Sequence, residues 1–260
     1  MCKKILGLFV LICMFCVQAF AAHVGNVASP ALNSNGGEDR GLRVSFINDS
    51  LLERELENID QSTMECEGDF RMLQLGVVTG DRAEFYGLFG VLADGFVSER
   101  DPWDTLGYYF DDGFAWGLGT KVILLDFGNG LRIGTDAVYR KAEVELEAIS
   151  LNGVKYYKGD YPLRFDGTFA EWQFAIGVSK EFSGHNFKVV PYGGVKYSDV
   201  EVWAEASSDG ETYVSPEVGS DKVFGVFFGT DLFVSDDLSV NLEGRLIDEQ
   251  AVSVSCTYRF

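Results

Sequence analysis

Proline is scarce in this chain, with five in 260 residues, and so is histidine, with two. Few prolines leave long strands uninterrupted. Few histidines remove the commonest general base and metal ligand from most of the chain. Of five cysteines only Cys66 and Cys256 lie beyond residue 21, and neither has metal or redox spacing. Beyond that point no stretch is apolar for the ~20 residues a membrane-spanning helix needs. Bases are outnumbered, 21 Lys and Arg against 40 Asp and Glu, for a net charge of −19. So acidic a chain is a poor partner for nucleic acid. What is plentiful is glycine (30), aromatics (14%) and apolar residues in general (47%).

The first 21 residues read as a secretory signal. Lys3 and Lys4 precede an apolar run from Ile5 to Val17, and Ala19-Phe20-Ala21 offers a small-x-small cleavage site. Neither Cys13 nor Cys16 follows the Leu–small–small order of a lipoprotein site. Residues 22–40, rich in Asn, Gly and Ser, read as a flexible lead on the periplasmic side. Residues 41–260 then form one β domain.

The last ten residues carry the firmest pattern. Val252, Val254, Cys256, Tyr258 and Phe260 share one face, and Ser253, Ser255, Thr257 and Arg259 the other. Period two marks a strand between unlike environments, and an apolar face ending in aromatics suits a lipid boundary. Counting back gives ten candidate strands: 251–260, 238–247, 222–234, 187–203, 169–182, 130–145, 114–127, 83–92, 70–78 and 41–47. The expectation is an all-β, closed antiparallel transmembrane β-barrel of about ten strands, with eight as the alternative. Closure leaves no backbone group unpaired in lipid.

The connections alternate in length. Those at 79–82, 128–130, 183–186 and 235–237 are tight, whereas 48–69, 94–112, 142–167 and 201–221 are long; Asp248-Glu249-Gln250 is short. Short turns face the periplasm and long loops the outside in such barrels. The four long connections hold 25 Asp and Glu against 5 Lys and Arg, so the acidic excess is expected outside. Its main expected role is solvation, with divalent cations as possible loop partners through carboxylate oxygens. Ser50-Leu51-Leu52-Glu53 has a capping-box form, so a short helix or a loop is expected there. Phase changes at Lys141–Glu147 and Asp199–Trp203 predict bulges, or strands that continue above the membrane. Cys66 and Cys256 fall at opposite membrane faces in this layout and are read as free thiols.

Inward positions mix both signs: Arg43, Glu84, Lys121, Arg132, Asp136, Arg140, Glu171, Glu181, Lys188, Lys196, Asp231, Glu243, Arg245 and Arg259. Near-equal charge suits a packed network, while inward Gly134, Gly177, Gly194 and Gly229 leave room for a small pore. His23 sits by the cleavage site and His185 in a turn, so no histidine base is placed at the outer rim. An enzyme is therefore not expected, nor a cofactor or metal site.

The closing strand resembles the C-terminal targeting strand of bacterial outer-membrane β-barrels. The resemblance implies that Val252, Val254, Tyr258 and Phe260 are read by the barrel-insertion machinery, with outer-membrane lipid as the other partner. As architecture the chain resembles compact OmpA-like or OmpX-like barrels of the porin superfamily. It implies the outer membrane of a two-membrane bacterium. The functional expectation is a structural or surface-interaction barrel, with a small diffusion pore as the alternative.

Overall fold

A computed structural model describes residues 22–29, 40–56, 63–80, 82–100, 104–157, 164–184, 188–208, 211–214 and 218–260. In chain order the strands are β1 (Arg40–Leu56), β2 (Thr63–Thr79), β3 (Ala83–Arg100), β4 (Thr105–Phe110), β5 (Gly113–Asp126), β6 (Leu131–Leu151) and β7 (Val154–Tyr157). They continue with β8 (Arg164–Lys180), β9 (Phe182–Ser183), β10 (Lys188–Ser208), β11 (Glu211–Val214), β12 (Phe224–Phe233), β13 (Leu238–Leu246) and β14 (Gln250–Arg259).

Ten positions make the ring, with β4 and β5 sharing one of them. Each pairs antiparallel with its neighbours, in the order β1, β2, β3, β4/β5, β6, β8, β10, β12, β13, β14. The ring closes where β14 returns to β1, from Arg43 opposite Arg259 to Glu53 opposite Gln250. The Phe260 amide donates to the Leu42 carbonyl at 3.0 Å. No edge of the ring is left to pair in lipid.

Alternation sets the two faces. In β3, Glu84 is fully buried while Phe85 is 61% exposed. The exposed outer residues form a band that includes Phe46, Leu75, Phe89, Leu118, Trp172 and Phe228. Water would penalise so large an apolar belt, whereas hydrocarbon would not. A row of rings on adjacent strands, Trp116, Tyr139 and Trp172, has centroids 5.7 and 4.6 Å apart. It lies near the upper edge of the band, where β6 turns polar at Lys141 and Glu143.

At one end the links are tight. Gly128 and Gly130 (φ 71° and 83°) flank Asn129, backbone conformations that favour glycine. At the other end the strands run far past the band. Much of what was expected as loop is sheet: β1 extends to Leu56, β2 starts at Thr63, β6 reaches Leu151 and β10 reaches Ser208. The expected helix at Ser50–Glu53 is β-strand, because those residues pair with β14 and β2 on both sides. Ladder pairing outweighs the local capping signal. Residues 141–145 and 199–203 continue their strands without a shift in the β6–β8 and β8–β10 ladders. A bulge is present at the end of the first predicted segment: Tyr109 pairs with Ala148 and Phe110 with Leu146, which leaves Glu147 as the extra residue of β6. Other register shifts fall at Leu51/Arg54, Glu67/Asp69 and Ile123/Leu125. Asn152 and Gly153 (φ 49° and 84°) make the two-residue hairpin from β6 to β7, a signal inside a segment read as connection.

Candidate functional site

The barrel interior is filled in three layers. The first comes from residues 22–29, which were expected as a periplasmic lead. They enter the lumen, and Val24, Val27 and Ala28 are fully buried. The Val24 and Gly25 amides donate to the two oxygens of Glu243 at 3.0 and 2.8 Å. Asn26 donates to Asp231 at 2.8 Å, Lys121 to the Val24 carbonyl at 2.6 Å, and Arg245 to the Ala22 carbonyl at 2.9 Å. Gly134 and Gly177 line the space it occupies. A Cβ at Gly134 would stand 2.5 Å from the Val27 carbonyl, and one at Gly177 3.3 Å from the Val27 side chain. The inward glycines thus make room for the chain's own N-terminal segment and for Phe227.

The second layer is a charge network, and buried charges persist only when paired. Arg43 meets Glu84 at 2.8 Å, and Tyr86 donates to Asp136 at 2.8 Å. Higher up, Arg245 meets Asp49, Glu243 (2.8 Å) and Glu249 (3.0 Å). Arg140 bridges Glu171 (2.6 Å) and Asp49 (3.3 Å), and Arg54 bridges Glu171 and Glu249, both at 3.1 Å. Lys196 meets Asp248 at 2.7 Å and also Glu249.

Of the candidate lumen charges, Lys121, Asp136, Glu171, Lys196, Glu243 and Arg245 are buried in this interior. Arg132, Glu181 and Lys188 lie instead at the short-turn rim, partly exposed, with Glu181 3.2 Å from Arg132 and 3.5 Å from Lys188. Sequence reasoning missed Asp49, Arg54, Asp248 and Glu249, having assigned them to connections. A bulge at Leu51/Arg54 re-aims Arg54 inward, which alternation alone does not reveal. On the closing strand, Val252, Tyr258 and Phe260 are exposed on the outer face and Val254 is half-buried there.

The third layer is apolar and sits toward the long-strand end. Leu51, Cys66, Phe70, Leu92, Val97 and Val144 belong to one buried cluster. The Arg140 guanidinium lies 3.8 Å from the Phe70 ring centroid, joining this layer to the charges below. A small pocket lies within it, bordered by Phe110, Phe169 and Val202. At its rim the Glu67 carboxyl is pushed above its usual value, by partial burial first and by neighbouring Glu65 and Glu53 next. The lumen beside residues 23–29 retains a cavity of only about 30 Å³. That holds a water or two, since one needs about 10–15 Å³. Cys66 and Cys256 are not disulfide-bonded. Among the described residues no group of His, Cys, Asp and Glu could hold a metal ion.

Comparison with known proteins fits this architecture. No family model matches the chain. The major outer membrane porin of Chlamydia trachomatis serovar F is 24% identical over 263 residues, covering 71% of this chain and 64% of that protein. The corresponding porin of Chlamydia muridarum is 24% identical over 265 residues, with the same coverage. This chain is an outer-membrane β-barrel protein. It spans 64% of the length of the porins it matches. Among solved structures, the outer membrane protease OmpT of Escherichia coli is similar over 85% of this chain and 96% of its own, at 11% identity and a TM-score of 0.49. The translocator domain of the autotransporter NalP of Neisseria meningitidis covers 90% of this chain and 92% of its own, at 12% identity and a TM-score of 0.47. The barrel's place is the outer membrane of a two-membrane bacterium. The sequence relatives carry the name porin, and the finer likeness to OmpA-like or OmpX-like barrels is not shown by them.

The exclusion of an enzyme does not stand. The solved barrels to which this chain is similar include a protease, at 11% identity. The structure relocates one of the two histidines. His23 lies inside the lumen, with Nδ1 2.9 Å from Ser253 Oγ and 3.6 Å from Glu243 Oε1. His185 lies outside the described residues.

Proposed function

We propose that this outer-membrane barrel is closed to solutes at rest and acts at the cell surface through the strands that rise above its apolar band. The observation that carries the reading is the filled interior: an inserted N-terminal segment, a paired charge network and an apolar cap lie in series along the lumen. Ten strands enclose less space than a porin channel of sixteen. Exposed acids of the long-strand end, among them Asp94, Asp111, Asp112, Glu143 and Glu145, then stand at or above the outer surface, where they keep the barrel solvated and set its electrostatic face toward the medium. Cleavage after Ala21 would free the end of the segment that enters the lumen. Liposome swelling tests the reading. Vesicles carrying the barrel should swell in small sugars and amino acids no faster than empty vesicles, and faster swelling would remove it.

A second reading is a gated pore, favoured because the sequence relatives are porins and because hydrogen bonds and packing, not covalent links, seat residues 22–29. Swelling that appears only when those residues are deleted would select it.

A further inference from the structure

The barrel wall has a seam above the apolar band. Between β3 and the β4/β5 position, Leu92 pairs with Gly113 and Phe96 with Tyr109, and the ladder skips residues 93–95 and 110–112. Asp94 takes a left-handed backbone there (φ 53°). On the outer side the seam opens into a cleft of about 860 Å³, whose lining includes Glu67, Asp94, Tyr109, Asp111, Asp112 and Glu147. Behind it lies the apolar pocket of the third layer, with a cavity of about 50 Å³. Glu67, Gly95, Phe96 and Phe110 line both, so the two spaces meet across the seam.

Charge and shape point to one kind of occupant. Five carboxylates face the cleft, from Glu67, Asp94, Asp111, Asp112 and Glu147. The bases that reach this region are Arg71, 3.3 Å from both Asp69 and Asp94, and Lys155. Lys155 is informative, because its ammonium sits 3.5 Å from the centroid of the Tyr109 ring. The chain's own cation already rests on the aromatic wall of the cleft, as expected where a π face adjoins excess negative charge. The pocket behind takes an apolar group of limited size. A cavity of ~150 Å³ admits benzene, so this one suits an alkyl chain of a few carbons.

We propose that the seam binds a small organic cation, its ammonium head between the carboxylates and Tyr109 and its short alkyl chain passing Gly95 and Phe110 into the apolar pocket. This holds whether or not the lumen conducts.

The barrel in lipid nanodiscs is titrated with butyltrimethylammonium by isothermal calorimetry, with butanol and butanesulfonate as neutral and anionic counterparts. The cation should bind saturably at one site and more tightly than butanol, and the sulfonate should not bind. Neutralising the rim with Asp94→Asn, Asp111→Asn and Asp112→Asn should weaken the cation to the level of butanol. Should that variant fail to fold, Lys155→Ala provides the second arm: removing the resident ammonium should lower the half-saturating concentration of the cation. Equal affinity for sulfonate and cation, no saturable binding of the cation, or no change in Lys155→Ala would each overturn the proposal.

Discussion

Arg245 offers the sharpest energetic test. Its guanidinium is fully buried and meets three carboxylates, Asp49, Glu243 and Glu249, and the Ala22 carbonyl. Removing one partner of a buried ion pair typically costs about 3–5 kcal/mol, because the charge left behind loses its compensation. Here each carboxylate keeps another partner. Asp49 retains Arg140, Glu249 retains Arg54 and Lys196, and Glu243 retains the Val24 and Gly25 amides. Arg245→Met therefore belongs at the lower end, about 3 kcal/mol. With a urea dependence of about 2 kcal/mol per M, the unfolding midpoint should fall by about 1.5 M. The assay is urea unfolding and refolding in lipid vesicles, followed by tryptophan fluorescence. Arg132→Met is the control. Its partners Asp126 and Glu181 lie at the partly exposed short-turn rim, so the change should stay below about 1 kcal/mol. Arg245→Lys keeps the charge and should fall between the two, which preserves the test if the Met variant fails to insert. Equal midpoint shifts for Arg245→Met and Arg132→Met would refute the reasoning.

Three further outcomes follow from the same geometry. Gly134→Val should expel the N-terminal segment, because its Cβ would collide with the Val27 carbonyl; a cysteine reporter at the buried position Ala28 should then react with maleimide as an exposed thiol does. Glu243→Gln should loosen the segment without expelling it. Charge-assisted hydrogen bonds are worth about 1.5–3 kcal/mol, so the same reporter should react about 10- to 100-fold faster. At the β5–β6 turn the Gly128 amide, together with Arg132, holds the Asp126 carboxyl below its ordinary value of 3.8. A depressed pKa contributes stability above the ordinary value that is lost as pH falls through the folded one; Asp126→Asn should thus flatten the stability profile only below about pH 4, seen in urea midpoints at acid and neutral pH.

Much of the ring was legible because lipid and lumen impose opposite demands on successive residues. Phe85 beside Glu84 and Tyr258 beside Arg259 show that demand directly, and all ten candidate segments lie on ring strands. Above the band the outer face meets water and the lumen is apolar, so the alternation reverses its polarity: Val144 and Leu146 are buried while Glu143 and Glu145 are exposed. This is why the upper parts of β1, β2, β6 and β10 read as connections. Ser50–Glu53 shows a local motif losing to long-range pairing on two flanks. Residues 22–29 show the opposite failure. Nothing in an Asn- and Gly-containing stretch predicts burial, which comes from complementing distant groups: Glu243, Asp231, Lys121 and Arg245. The inward glycines carried half of that message. Gly134 and Gly177 were read as room in the lumen, and the room is taken by the chain itself.

Single-channel recording in planar bilayers tests the closed interior most directly. The intact barrel should insert without resolved conductance steps, since the segment, the charge network and the apolar cap lie in series along the lumen. Steady unitary steps from the intact barrel would contradict the account.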